Sequence, residues 1–312
     1  MRVFINRKPV TGPWGGGNKT LSSLVMALQE RKHKVVFELD EKVDIIFCMD
    51  PRPQRYSYQD LLKHKMRYGS KLIQRVGDVG SHSKPDLTEL LKLNLKNNDM
   101  TIFTSLWAKN YLNIIIEKEK HRIIENTPLG IFYNYRNKPK NINSKKKLKI
   151  VTHHWSDNDK KGFDVYSVLG NLIHNKVIES FELTYIGRYS KKYSLQGIDF
   201  IAPVDKEKLS IMLPKYDIYL TGSLEEAGAN HVLEAIAAGL PVLYRKGGGS
   251  INEYCKGYGY EYEDNIISIM DKISLIQQSY PIVKSRLLEY NLCMSDNMKK
   301  YVELIEYVGK KV

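Results

Sequence analysis

The chain has 312 residues, 42% hydrophobic, 10% aromatic and 27% charged, and 48 Lys and Arg against 35 Asp and Glu give a formal net charge of +13. Such a length and composition suit two ordinary domains with real cores and exclude a disordered or fibrous chain. No apolar run reaches the roughly 18 residues that span a bilayer, and the three cysteines, Cys48, Cys255 and Cys293, lack metal-ligand spacing.

Met1 opens onto a strand-like run with no charged and apolar leader, so the chain is expected to be cytoplasmic with its cysteines reduced. Its positive charge fits a nucleic acid, an anionic membrane surface or a phosphorylated substrate. Nucleic acid is not expected, because no basic stripe interleaved with aromatic residues forms a recognisable module.

Apolar, β-rich runs recur at 2–6, 33–39, 43–49, 71–76 and 100–105. Amphipathic stretches such as "DLLKHKMRY" and "DLTELLKLNLKN" separate several of them, the alternation that a parallel sheet flanked by helices requires. After the first run comes "GPWGGGNKT" (12–20), with Gly12, four residues, Gly17, then Lys19 and Thr20. A nucleotide-hydrolysing P-loop needs its Lys directly after the last Gly, and here Asn18 intervenes. The stretch reads either as a tight turn into the helix carrying Leu21, Leu24, Val25 and Leu28 or as a cradle of amides for an anion. The fourth run ends in a polar cluster, "RVGDVGSHSKP" (75–85).

The basic run "NKPKNINSKKKLK" (137–149) reads as a solvated linker. A second series of apolar runs follows at 149–154, 181–187, 199–204, 216–222 and 240–246, again alternating with helical stretches. From about Tyr280 the tail is amphipathic and helical. The expected organisation is two α/β domains, 1–146 and 147–285, with a helix at 286–312 packing back toward the first. Ligands are expected in a cleft between them, at the carboxyl ends of strands.

The most specific stretch is "SLEEAGANHVLEAIAAGLPVLYRKGGGSINEY" (223–254). Glu226 and Glu234 are separated by seven residues, and the helix carrying the second stops at Gly239 with Pro241 beyond. Small residues between them let a ligand approach the helix's first amides, where a diphosphate is favoured. As a bare pair, two exposed glutamates on an ordinary crossover would account for the same letters.

The segment resembles the donor-binding motif of the retaining glycosyltransferases of family 4, whose pattern runs Ser, Glu, a small-residue loop, "LEA", Gly and "xPV". "DNDKKGFDVY" (157–166) is similar to the family's Lys-Gly segment, with Lys161 and Gly162 in place, and "LTYIGR" (183–188) to its next strand. The resemblance implies the α/β GT-B fold, two Rossmann-like domains facing each other across a cleft. It also implies transfer of a sugar from a nucleotide-diphosphate donor to a hydroxyl of a glycan, lipid-linked or other acceptor, with retention and without a metal or other cofactor.

By the same resemblance, Glu234 would bind the donor's ribose and Glu226 would face the donor sugar or the reacting centre. The amides of Gly228, Ala229 and Asn230 would meet sugar hydroxyls or phosphate, and Lys161 would neutralise the leaving diphosphate. The family usually carries a second basic residue before that Lys, where this chain has Ser156. Arg188, or His153 and His154, are candidates for the missing donors, though each histidine reads equally as a buried structural one. Gly16 and Gly17 would let ligand phosphates approach backbone. Arg75, Asp78 and His82 are candidates for the acceptor side, His82 near the reacting carbon by analogy of position and otherwise a surface-loop histidine.

Asp157 and Asp159 have the spacing of a metal-binding Asp-x-Asp, but their place before Lys160 and Lys161 favours a capping and charge role, so no metal is expected. "GGGS" (247–250) is a second glycine turn. Two further functions fit the sequence: a nucleotide-sugar 2-epimerase on the same fold, and a non-enzymatic basic protein bound to an anionic membrane or nucleic acid.

Overall fold

The computed structural model describes residues 1–10, 16–52, 55–136, 142 and 147–310. The chain divides into two compact units, Met1–Thr127 with Cys293–Val312, and Pro128–Leu292. Most of the basic linker run lies outside the described residues. No helix among the described residues is long and apolar enough to cross a membrane.

The first unit holds a six-stranded parallel sheet ordered β2-β1-β3-β4-β5-β6. Its strands are β1 (Arg2–Ile5), β2 (Lys34–Val36), β3 (Ile45–Cys48), β4 (Lys71–Val76), β5 (Met100–Phe103) and β6 (His121–Ile123). Every residue of β3 and β5 is buried, as expected of parallel strands covered on both faces. Helices α1 (Gly16–Glu30), α2 (Tyr58–Tyr68), α3 (Pro85–Asn94) and α4 (Leu106–Leu112) connect them. Ser57 and Asp60 form a capping box that starts α2, and Gly69 ends it in the left-handed conformation at φ 70°. The chain's last helix, Met294–Lys310, packs against α1, with Tyr301, Val302 and Ile305 buried.

The glycine run is partly corrected. Gly16 and Gly17 belong to the first turn of α1 instead of a loop, while residues 11–15 lie outside the described residues. Asn18, which breaks the P-loop pattern, accepts from the Val10 amide at 2.9 Å and donates to the Val10 carbonyl at 2.7 Å. That paired contact ties the incoming chain to the helix start, work that a phosphate-binding Lys at this position would not do.

The second unit repeats the pattern with the order β12-β11-β10-β7-β8-β9, all parallel. The strands are β7 (Leu148–His154), β8 (Phe181–Gly187), β9 (Asp199–Ile201), β10 (Ile218–Thr221), β11 (Val242–Arg245) and β12 (Gly259–Tyr262). Helices α5 (Phe163–His174), α6 (Lys206–Met212), α7 (Asn230–Ala237), α8 (Ser250–Tyr254) and α9 (Ile266–Glu289) cover both faces. The helical tail expected from Tyr280 is two helices: α9 begins earlier, where the Asn265 side chain accepts from the Ser268 amide at 2.8 Å, and stops at Glu289 before the last helix starts.

Candidate functional site

In the second sheet, β8 and β9 lie on one side of β7 and β10 on the other, so the order reverses between β7 and β10. A doubly wound sheet leaves a crevice outside the carboxyl ends of the strands at such a point. There β7 ends in His153 and His154, and β10 runs into Gly222 and Ser223.

Two loops are pressed together at this end. After β7, a short 3₁₀ turn (Asp159–Lys161) is capped by Asn158, whose side-chain oxygen accepts from the Lys160 amide at 3.0 Å. Gly162 then takes φ 86° against Gly222, so close that a Cβ on Gly162 would stand 2.4 Å from the Gly222 Cα. The Leu224 amide donates to the Lys160 carbonyl at 2.9 Å. Beyond it, the amides of Glu225 and Glu226 donate to the Gly247 and Gly248 carbonyls, and the Ser250 amide donates to that of Glu226, so the second glycine turn buttresses the acidic loop.

The result is an ion pair between two predicted residues. Lys161 Nζ lies 2.5 Å from Glu226 Oε1, with the side chains 14% and 11% exposed. Lys160 and Glu225 form a second, more open pair beside it.

Glu234, on α7, is almost enclosed, and its Oε2 lies 2.9 Å from His153 Nε2. His154 Nε2 lies 2.9 Å from the Tyr166 hydroxyl, which accepts from the Gly222 amide at 2.9 Å. Both histidines are therefore buried parts of the strand end that supports the loops. His231, next to Asn230, stands 4.9 Å from His154 between ring centroids, and its Nε2 is 3.1 Å from Thr221 Oγ1. Burial pushes His231 down to about 3, with Lys161 and His153 adding to the effect while Glu226 and Glu234 oppose it. The ring is neutral near pH 7.

Ala229 precedes α7, and its amide donates to Ser250 Oγ at 3.0 Å, so that amide is engaged within the chain. Gly228 and Asn230 are partly exposed, and no side chain caps the start of α7, which leaves the positive end of the helix toward this crevice. Arg188 is exposed just past β8, and its amide donates to the His154 carbonyl at 3.0 Å.

The acceptor-side candidates divide. Arg75 is 5% exposed, and its guanidinium donates to the Tyr301 hydroxyl at 3.1 Å and to Asn126 Oδ1 at 2.9 Å. Those bonds satisfy its guanidinium inside the first unit. Asp78 accepts from the Gly80 amide at 3.0 Å and Lys84 Nζ at 2.6 Å. Burial works to raise its carboxyl, yet Lys84, the Gly80 amide and the charge of Arg52 together hold it below the usual carboxylate range. His82 is partly buried in the turn before α3.

Of the predicted Asp-x-Asp, neither aspartate caps: Asn158 between them does, and Asp159 pairs with exposed Lys192 at 2.9 Å. Among the described residues no group of three or more His, Cys, Asp or Glu side chains is arranged to hold a metal ion. Sequence reading passed over His231, Tyr166 and Ser250. Their only signal was position, beside Asn230, one turn beyond Gly162, and after a glycine run.

No family model matches the chain, and no curated protein matches it. Solved structures do. HepE of Anabaena, in complex with UDP and glucose, superposes with a TM-score of 0.71 at 11% identity, covering 98% of this chain and 99% of that one. A glycosyltransferase of Rickettsia africae gives 0.69 at 14% identity, covering 100% and 99%. A sucrose-phosphate synthase of Thermosynechococcus elongatus gives 0.63 at 15%, covering 99% and 96%. The chain thus has the GT-B fold of these proteins, with two Rossmann-like α/β units.

Proposed function

We propose that this protein is a metal-independent glycosyltransferase that moves a sugar from a nucleotide-diphosphate donor to an acceptor hydroxyl with retention of anomeric configuration. The observation that carries the reading is the Lys161–Glu226 pair, held beside the uncapped start of α7 where the second sheet reverses. A lysine there can exchange its carboxylate partner for a diphosphate. It then stabilises charge that grows as the sugar departs, the moment when such an interaction accelerates reaction.

Glu226, released from Lys161, would turn to the donor sugar, and the amides of Gly228 and Asn230 would meet phosphate or hydroxyls. Glu234 would receive the ribose, with His153 setting its orientation before the donor arrives. Arg188 is kept as a second cation for the diphosphate and His82 as the first unit's contribution near the reacting carbon. Gly16 and Gly17 would admit ligand close to the start of α1. No protein nucleophile is assigned, so positioning and charge stabilisation carry the rate. Support also comes from HepE, whose structures hold UDP, glucose and UDP-glucose. The acceptor is read as a glycan or lipid-linked hydroxyl, and the workplace as the cytoplasm, with peripheral attachment to an anionic membrane.

Thermal-shift screening of nucleoside diphosphates and their sugars tests donor binding, since a ligand selective for the folded state raises the melting temperature. NMR of the product of the best donor then reads the anomer. No shift with any nucleotide, an inverted product, or turnover abolished by a chelator and restored by a divalent ion would each contradict part of the reading.

A further inference from the structure

The first sheet also reverses, at β1, with β2 on one side and β3 on the other. A cavity of about 430 Å³ opens at this end of the strands, lined by residues that include Asn6, Arg7, Lys8, Phe37, Arg55 and Tyr56. They come from the ends of β1 and β2 and from the loop after β3, the place where a sheet of this kind takes ligands.

The framework of the cavity is fixed by its own hydrogen bonds. Asn6, 8% exposed, donates to the Asp50 carbonyl at 2.6 Å and accepts from the Met49 amide at 2.8 Å, tying the end of β1 to the end of β3. Tyr56 packs edge-on against Phe4 at 5.6 Å, donates to Glu38 Oε2 at 3.2 Å and accepts from the Leu39 amide at 3.1 Å.

The charges do not balance. Lys8 Nζ lies 3.2 Å from Glu38 Oε1, and Arg55 pairs with the other oxygen of the same carboxylate. Arg7 pairs with no carboxylate among the described residues. Three cations therefore line a concave, partly aromatic surface, and one carboxylate, Glu38, pairs with two of them. Two guanidinium forks and an ammonium suit an anionic oxygen group better than a neutral sugar.

We propose that this cavity binds the anionic group, a phosphate or carboxylate, of the acceptor. Naming the ligand the acceptor rests on the glycosyltransferase reading, whereas the anion site stands on the first unit alone.

Calorimetric titration of the full-length chain with glucose 6-phosphate, glucuronate, octyl phosphate and glucose tests it. The second-unit site is blocked by whichever nucleoside diphosphate binds, or left open if none does. At least one anionic probe should bind tenfold or more tightly than glucose. Arg7→Ala and Arg55→Ala should each weaken that binding several-fold, and together abolish the preference, while Lys96→Ala leaves it unchanged. The tightest probe separates a sugar phosphate, a uronate and a lipid phosphate. Equal binding of glucose, binding by no probe, or indifference to both arginine changes in chains that melt normally would overturn the proposal. Anion binding that depends on the arginines, in a chain that ignores every nucleotide, would keep this site and discard the transferase reading. The opposite pattern would do the reverse.

Discussion

His153 Nε2 lies 2.9 Å from Glu234 Oε2 with the two side chains only 2% and 5% exposed, so the carboxylate assigned to the ribose is held from behind by the end of the central strand. Truncating either partner strands the other in a place without water. His153→Ala should therefore destabilise the second unit by about 3 kcal/mol, the scale for breaking a buried pair. Glu234→Gln, which keeps shape and one acceptor oxygen, should cost less stability yet weaken donor binding tenfold or more. Urea melts and nucleotide titrations of the two variants separate support from recognition. Unchanged affinity in Glu234→Gln would remove Glu234 from the donor site.

Lys161 and Glu226 form a pair that the proposed reaction must open. Lys161→Ala should lower kcat by about 100-fold or more, the effect of losing a charge-stabilising donor. It should also soften the fold, because Glu226 loses its partner. The double variant Lys161→Met, Glu226→Gln removes both charges and should regain most of that stability while staying inactive. Recovery of turnover along with stability would mean that the pair is structural only.

His231 makes stability depend on pH. Its folded value is pushed down to about 3, below the ordinary value of about 6.5 for an unfolded histidine. Between those two values the unfolded chain binds the extra proton, so stability is complete above about pH 6.5 and falls with acidification. From about pH 7.5 down to about pH 5 the loss should be about 2 kcal/mol from this residue. His231→Gln should flatten that part of the curve in denaturant melts across the range. An unchanged slope would show that another group carries it.

Two glycines should respond oppositely to a methyl group. Gly162→Ala places a Cβ 2.4 Å from Gly222 backbone at φ 86°, so the loop carrying Lys161 must move, with a loss of more than about 2 kcal/mol and of activity. A Cβ on Gly17 meets nothing within 4 Å, and Gly17 is helical, so Gly17→Ala should stabilise by about 0.5–1 kcal/mol. If ligand phosphate does approach that turn, the same variant should raise the Michaelis constant. A stabilised enzyme with unaltered kinetics would free Gly17 of any binding role.

The letters of the chain carry the α/β alternation because buried parallel strands must be apolar on both faces. The five runs in each half coincide with β1–β5 and β7–β11, for that reason at the eight central strands, whereas the edge strands β2 and β9 are partly exposed and show only because apolar residues continue past their ends. They miss β6, "HRI", and β12, "GYEY", since an edge strand needs no such run and these two are short and partly exposed. The helix stop after Glu234 was legible as a local signal, whereas the stretch around Glu226 and Glu234 stood out as a candidate site only by its resemblance to a donor-binding motif. Which side chains meet is another matter. Lys161 reaches Glu226 across 65 positions, and His153 reaches Glu234 across 81. Arg75 turns inward to Tyr301, 226 positions away. Such partnerships follow from which strands lie side by side, and the order of strands is decided by packing of the whole sheet, which no local pattern of residues specifies.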